Sequence, residues 1–297
     1  AELLLRPDKA QPSSGTESMI TGTNADAPSG RSARVRELSR ADLLTRMFTY
    51  FRNGVHNSKP AKEYLESRNL DKDKIQVGYN SGQFHHGSRK EKHLVESCLK
   101  YGLLLDRGHV NNRTGEKAYS PFGKNCIVFA LRNPQNQVVS LYFRSTIDNH
   151  KARHFYLKDR QGLYPNYPKK ETKKLILTES IIDAATLQQF ELQEYELLAL
   201  YGTNGLTEEH TKAIEDLQEL EEIIFFLNGD EAGRKATEKY SKELQQLKLP
   251  KGSGQATVKI TQIEVPENED INSLAQSHEP EIFTHLLDNR KPPFSFK

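Results

Sequence analysis

The chain has 297 residues, 35% of them hydrophobic and 28% charged, with a formal net charge of +2. That length gives one large or two medium domains with an ample core. The near-neutral balance excludes a generally basic coat, so any contact with nucleic acid must come from a local patch.

Residues 1–38 are rich in Ser, Thr, Gly, Pro and Ala and read as a flexible linker. The first residues look like mid-protein sequence, which creates the expectation of an upstream part. From Ser39, a capping residue, Leu43, Leu44, Met47, Phe48 and Phe51 give a helical apolar stripe. A second helix is expected over 60–70, opening on Pro60 and carrying Tyr64, Leu65 and Leu70. The polar stretch SGQFHHGSRKEKH reads as a loop with His85 and His86 exposed. A third helix spans 92–104 and ends near the Tyr101-Gly102 cap signal. Residues 119–157 read as a twisted antiparallel sheet, with apolar runs at 126–131 and 138–144 flanking the turn cluster Asn133-Pro134-Gln135-Asn136. A third strand follows at 153–157. Cys98 and Cys126 have no C-x-x-C partner and read as reduced core cysteines.

The second part changes character. Residues 174–178 are apolar and β-capable and stop at Glu179, after which Ser180 caps a helix through Asp183. Residues 223–227 form an unbroken apolar run, too short for a helix, and read as a central parallel strand. It ends in Asn228-Gly229-Asp230-Glu231-Ala232-Gly233, a turn into another helix. Two acid-bearing strand ends side by side in a parallel sheet make a divalent-cation site, and hard oxygen ligands suit Mg²⁺ or Mn²⁺. A helix through Tyr240, Leu244 and Leu247, a strand over 257–265 and a final helix over 279–287 complete the pattern. The expected fold is thus α+β followed by α/β: a mixed helical and antiparallel-sheet subdomain over 39–170, a parallel α/β domain over 171–290, and a tail over 291–297. No apolar run approaches the ~20 residues of a membrane span, no signal-peptide pattern appears, and no P-loop motif is present. The expected location is cytoplasmic.

The order strand–Glu179, helix with Asp183, strand, Gly202-Thr203, then strand–x-G-D-x-A-G-R resembles a toprim domain. The run G-D-E-A-G-R-K-A and Leu200-Tyr201-Gly202-Thr203 look most like the DnaG-type bacterial DNA primases. So does A-K-E-Y-L-E-S-R-N-L…I-x-V-G-Y, which lies outside the toprim part and corresponds in that family to a helix ending in Arg, a short helix and a Gly-Tyr turn. The resemblance implies a nucleotidyltransferase that makes short primers on single-stranded DNA from nucleoside triphosphates, with Mg²⁺ or Mn²⁺. It also implies a possible helicase partner, and zinc only in an upstream module. Glu179 and Asp230 match the family's catalytic acids, with Asp183 and Asp270 as further metal-proximal acids. Asn228 stands where the family usually has a metal-binding aspartate, and Asn272 replaces a second acid. Asp270 reads equally as ligand or helix cap. Lys124, Arg144, Lys151 and Arg153 fall where the family turns basic residues toward template and nucleotide, with Lys124 in place of an arginine. Strand-end solvation is the other reading of these four residues. The two asparagines motivate an alternative function, a catalytically weakened toprim module binding DNA within a mobile-element protein. A toprim nuclease is the third.

Overall fold

The computed structural model describes residues 38–86, 91–147, 153–190, 192–247 and 257–293. The linker expected over 1–38, Lys151 and the end of the tail fall outside them, apart from Leu38 and residues 291–293.

Ser39 caps α1 (Arg40–Val55), its side chain accepting from the Asp42 amide. The apolar stripe of α1, from Leu43 to Val55, is fully buried. Helix α2 (Lys59–Ser67) starts on Ser58 with Pro60 in its first turn. It ends three residues before the expected boundary, because Asn69 adopts a left-handed φ of 50° and the Leu70 amide turns back to the Leu65 carbonyl. The Gly78-Tyr79 pair is no turn but the start of a short strand, β1 (Gly78–Asn80). Glycine is needed there because a Cβ at Gly78 would press on Cβ of Phe51 in α1. Helix α3 (Lys92–Lys100) also stops earlier than the pattern implied, with Gly102 at φ 82° closing it. The next residues form a projecting hairpin that the sequence reading did not anticipate, β2 (Leu104–Val110) with β3 (Lys117–Pro121). Its strands carry no clean apolar alternation, since most of β2 is exposed.

The main antiparallel sheet runs β1-β4-β5-β6, with β4 (Cys126–Arg132), β5 (Val138–Ser145) and β6 (His154–Tyr156). The unbroken apolar run of β4 has a direct cause. Cys126, Val128 and Ala130 enter the core under α1 and α3. Ile127, Phe129 and Leu131 point the other way, into a core shared with Ile181, Ile182, Ala184 and Ala185 of the second half. A strand buried on both faces cannot alternate apolar with polar residues.

The second half is a parallel sheet in the order β10-β9-β7-β8. Its elements are β7 (Lys174–Thr178), α4 (Ile181–Gln188), β8 (Tyr195–Ala199), α5 (Glu208–Glu215), β9 (Glu222–Phe226), α6 (Glu231–Gln245), β10 (Lys259–Gln262), α7 (Ile271–Ser277) and α8 (Glu281–Asp288). Leu175, Leu177, Ile223 and Phe225 face α5 and α6, while Ile176, Ile224 and Phe226 face α7 and α8. The sheet is therefore a doubly covered α/β layer, as the sequence pattern predicts. Among the described residues no helix is long and apolar enough to cross a membrane.

Candidate functional site

Parallel strands end together, and the loops at their carboxyl ends share one crevice. Thr178 of β7 pairs with Phe226 of β9 and with Ala199 of β8 at that edge. Glu179 follows directly, and its carbonyl accepts from the Gly202 amide at 3.0 Å. From the other side the Asn228 amide donates to Glu179 Oε2 at 3.4 Å. Glu179 thus sits at the seam of three strand ends, half-buried.

The turn Asn228–Gly233 owes its shape to two glycines. A Cβ at Gly229 would collide with the carbonyls of Val265 and Pro266, and one at Gly233 with the carbonyl of Asn228. The absence of both side chains lets the 265–270 segment lie against the turn, where the Gly229 amide donates to the Glu269 carbonyl at 2.9 Å. Arg234 secures the turn by donating to the Gly229 carbonyl at 2.9 Å. Asp230 caps α6, accepting from the Gly233 amide at 2.7 Å. Asp270 caps α7 in a reciprocal box with Ser273; in α4 Ser180 is the cap and Asp183, one turn in, accepts from the Ser180 amide and hydroxyl.

These acids feel one another. Burial raises the pKa of Glu179; the Asn228 amide opposes this, and the charges of Asp230 and Asp270 add to it. Asp183 is buried and its pKa is pushed up to about 7, first by desolvation and then by Asp270, with Glu179 contributing and the Ser180 hydrogen bonds opposing. Glu179 and Asp183 are thus coupled electrostatically to each other and to Asp270, and Glu179 to Asp230 as well. Among the described residues, no three His, Cys, Asp or Glu side chains stand as a ready-made ligand group. Asp183, Asp230 and Asp270 each engage a helix start through one carboxylate oxygen. Their other lone pairs are hard oxygen donors, and mutual repulsion is what a divalent cation relieves. The donor set fits Mg²⁺ or Mn²⁺ in kind.

Asn272, expected as a replaced acid beside this cluster, is engaged elsewhere. It is buried, and its amide donates to the Arg68 carbonyl at 2.8 Å and to Thr186 Oγ1 at 2.9 Å. Asn228 is the asparagine that borders Glu179.

The antiparallel sheet turns a basic and aromatic face toward the cluster. Tyr142 of β5 lies in the core shared with α4 and feels the charge of Asp183. Two residues on, Arg144 is half-buried; burial lowers its pKa, but the phenols of Tyr64 and Tyr142 outweigh that and raise it. Lys124 is exposed, its stem resting over Gly82, and Arg153 is exposed just before β6. They lie at the loop end of the sheet, beyond Arg144. His85 differs from the expected exposed loop residue, since it is half-buried with its ring 5.4 Å from that of the buried Phe84, while His86 is exposed.

Sequence reasoning missed Arg160. Its guanidinium lies 4.3 Å from the ring centre of Tyr201 and 4.8 Å from that of Tyr156. Tyr201 immediately precedes the Gly202 that binds the Glu179 carbonyl, and its hydroxyl donates to Gly162. Beneath it sits His210, buried and held neutral with a pKa of about 4 by desolvation. The available signal was Arg160 flanked by tyrosines, but only the fold brings Tyr156 and Tyr201 together.

Residues 176–275 match the Toprim-like family. The chain is 28% identical over 246 residues to a DNA primase of Neisseria meningitidis, covering 79% of this chain and 39% of that protein. It thus spans about two fifths of that relative's length. Its structure resembles the zinc-binding and RNA polymerase domains of the Aquifex aeolicus primase, with TM-score 0.67 at 20% identity over 88% of this chain and 64% of that one. It also resembles a DnaG primase catalytic domain bound to single-stranded DNA, with TM-score 0.64 at 16% identity over 86% and 79% of the two chains. Glu179 and Asp230 both lie within the stretch that matches the Toprim-like family. The two-sheet architecture around it is that of DnaG-type DNA primase catalytic cores.

Proposed function

We propose that this chain is a nucleotidyl-transfer core that synthesises short primers on single-stranded DNA from nucleoside triphosphates. The observation that carries the reading is the meeting of Glu179 and Asp230 at adjacent parallel strand ends, opposite the sheet face that holds Tyr142 and Arg144. Glu179 is the central acid, positioned to hold a cation or to accept the proton of an attacking hydroxyl. Asp230 and Asp270 would join it in holding the cation, and the buried Asp183 would add its charge to theirs. When bound, Mg²⁺ or Mn²⁺ supplies charge that lowers the pKa of the primer hydroxyl and offsets charge on departing pyrophosphate. Arg144, Arg160, Lys124, Arg153 and Lys151 contact phosphates of template and nucleotide, with the guanidiniums suited to bidentate pairing. The reading places the chain in the cytoplasm, with a replicative helicase as the partner it would serve.

Asn228 favours a second reading. Its backbone touches Glu179 but its side chain brings no charge, which gives a weaker cation site, as in a toprim module that binds DNA with little synthesis. The deciding experiment is primer synthesis on single-stranded template across a titration of Mg²⁺ and of Mn²⁺. Product that depends on the metal and disappears in Glu179→Gln supports the first reading. DNA binding without product at any metal concentration supports the second.

A further inference from the structure

Asn272 sits in the second turn-forming position of α7, two residues after Asp270. Each polar atom of its buried side chain has a partner. The amide nitrogen donates to the Arg68 carbonyl at 2.8 Å and to Thr186 Oγ1 at 2.9 Å. The amide oxygen accepts from Gln276 Nε2 at 2.9 Å and from Arg68 at 3.4 Å. Thr186 uses its own hydroxyl proton on the Ile182 carbonyl, so toward Asn272 it is an acceptor only. Around this centre the loop after α2 is fastened twice more. Asn69 Nδ2 donates to the Ala275 carbonyl at 2.6 Å, and Gln189 bridges the Asn69 carbonyl and the Asp71 amide at 2.9 and 3.0 Å.

The three joined elements are those that carry the site. Thr186 lies one turn beyond Asp183 on the same face of α4, and Asp270 begins α7. On α2, Tyr64 lies one turn before Arg68, whose guanidinium is 5.9 Å from the tyrosine ring, and the Tyr64 phenol borders Arg144.

We infer that Asn272 is a positioning residue: it locks the end of α2 to α4 and α7, and so fixes the phenol of Tyr64 and the neighbouring Arg144 relative to Asp183 and Asp270. This rests on the nucleotidyl-transfer reading above, because it assigns the latch the task of holding phosphate contacts in register with the acidic centre. The chemistry also requires an amide. A carboxylate at 272 would face two acceptors, the Arg68 carbonyl and Thr186 Oγ1, with no proton to offer either. Asn272 is therefore no lost metal ligand but a donor that an acid cannot replace.

The test joins a distance measurement to kinetics on the whole chain. Spin labels at Lys62→Cys and Thr284→Cys report the span from α2 to the parallel domain, and the native Cys98 and Cys126 are buried away from the label. Asn272→Ala, and the near-isosteric Thr186→Val, should broaden or lengthen that distance while Mn²⁺ affinity by calorimetry stays unchanged. In primer synthesis kcat should fall on the order of 10- to 100-fold, with the nucleotide KM much less affected. Asn272→Asp should resemble the alanine variant. An unaltered distance distribution in folded Asn272→Ala would overturn the inference, as would tighter Mn²⁺ binding with faster synthesis in Asn272→Asp. If the parent chain makes no primer, the functional reading fails on that result alone, and the distances still decide whether the latch exists.

Discussion

The Asn228 amide points at Glu179 Oε2 from 3.4 Å across the seam between β7 and β9, so residue 228 reaches the central acid through its backbone whatever side chain it bears. An aspartate there would keep this contact and add a carboxylate at the mouth of the cluster. Asn228→Asp should therefore tighten Mg²⁺ and lower the concentration needed for primer synthesis. Calorimetric titration beside a synthesis assay checks this, and equal affinity in the two proteins would remove residue 228 from the metal site.

Glu179→Gln should abolish nucleotidyl transfer and leave the fold intact. The pKa of Glu179 is raised by burial and by Asp230 and Asp270, so its charge is a strain on the folded state. Thermal unfolding in the absence of metal should show equal or greater stability, while synthesis falls to background.

Asp183 makes stability depend on pH. Its folded pKa of about 7 lies above the ordinary aspartate value. Between about pH 4 and pH 7 the native state keeps a proton that the unfolded chain has released. Stability should fall as pH rises through that window and level off above it. Asp183→Asn retains an acceptor for the Ser180 amide but cannot ionise, so it should flatten that part of the profile. Denaturant unfolding from pH 4 to 8 on both proteins gives the comparison, and parallel profiles would show that Asp183 titrates normally.

Arg160→Ala should weaken template or nucleotide binding and reduce the salt slope of DNA affinity by about 0.7 if it contacts one phosphate of a single strand. Arg144→Ala should do the same and also lower stability, because Arg144 packs half-buried against Tyr64 and Tyr142 while Arg160 is exposed. Binding across a salt series tests the phosphate contact in each variant, and thermal unfolding separates the two residues. An unchanged slope in Arg160→Ala would leave its tyrosine stacking as the whole of its role.

Gly229→Ala should disrupt the approach of the 265–270 segment, since its methyl group meets the carbonyls of Val265 and Pro266. A loss of about 1–3 kcal/mol is expected from such overpacking, together with weaker metal binding as Asp270 moves away. Undiminished stability would mean that the segment yields freely.

Much of this protein was legible in local pattern. The runs at 174–178 and 223–227 are short, apolar and followed by capping residues, so strand, acid and helix could be placed without knowing their neighbours. Because parallel strands end on one edge, the sequence placed Glu179 and Asp230 at the same end of the sheet, while the adjacency of β7 and β9 is a matter of the tertiary structure. The Ser39 stripe and the 126–144 hairpin were read in the same way. The tertiary structure alone decided everything that depends on contacts between distant segments. It separated the two asparagines, placing Asn228 beside Glu179 and Asn272 among Arg68, Thr186 and Gln276, because hydrogen-bond partners far apart in sequence leave no periodic trace. It set Arg160 on Tyr201, and it explained the unbroken apolar run of β4 by burying both of its faces. It also showed Asp270 as a helix cap whose charge reaches Glu179 and Asp183. Caps and strands are local matters of backbone and periodicity, whereas the surroundings of a carboxylate or an amide are fixed only when the chain closes on itself.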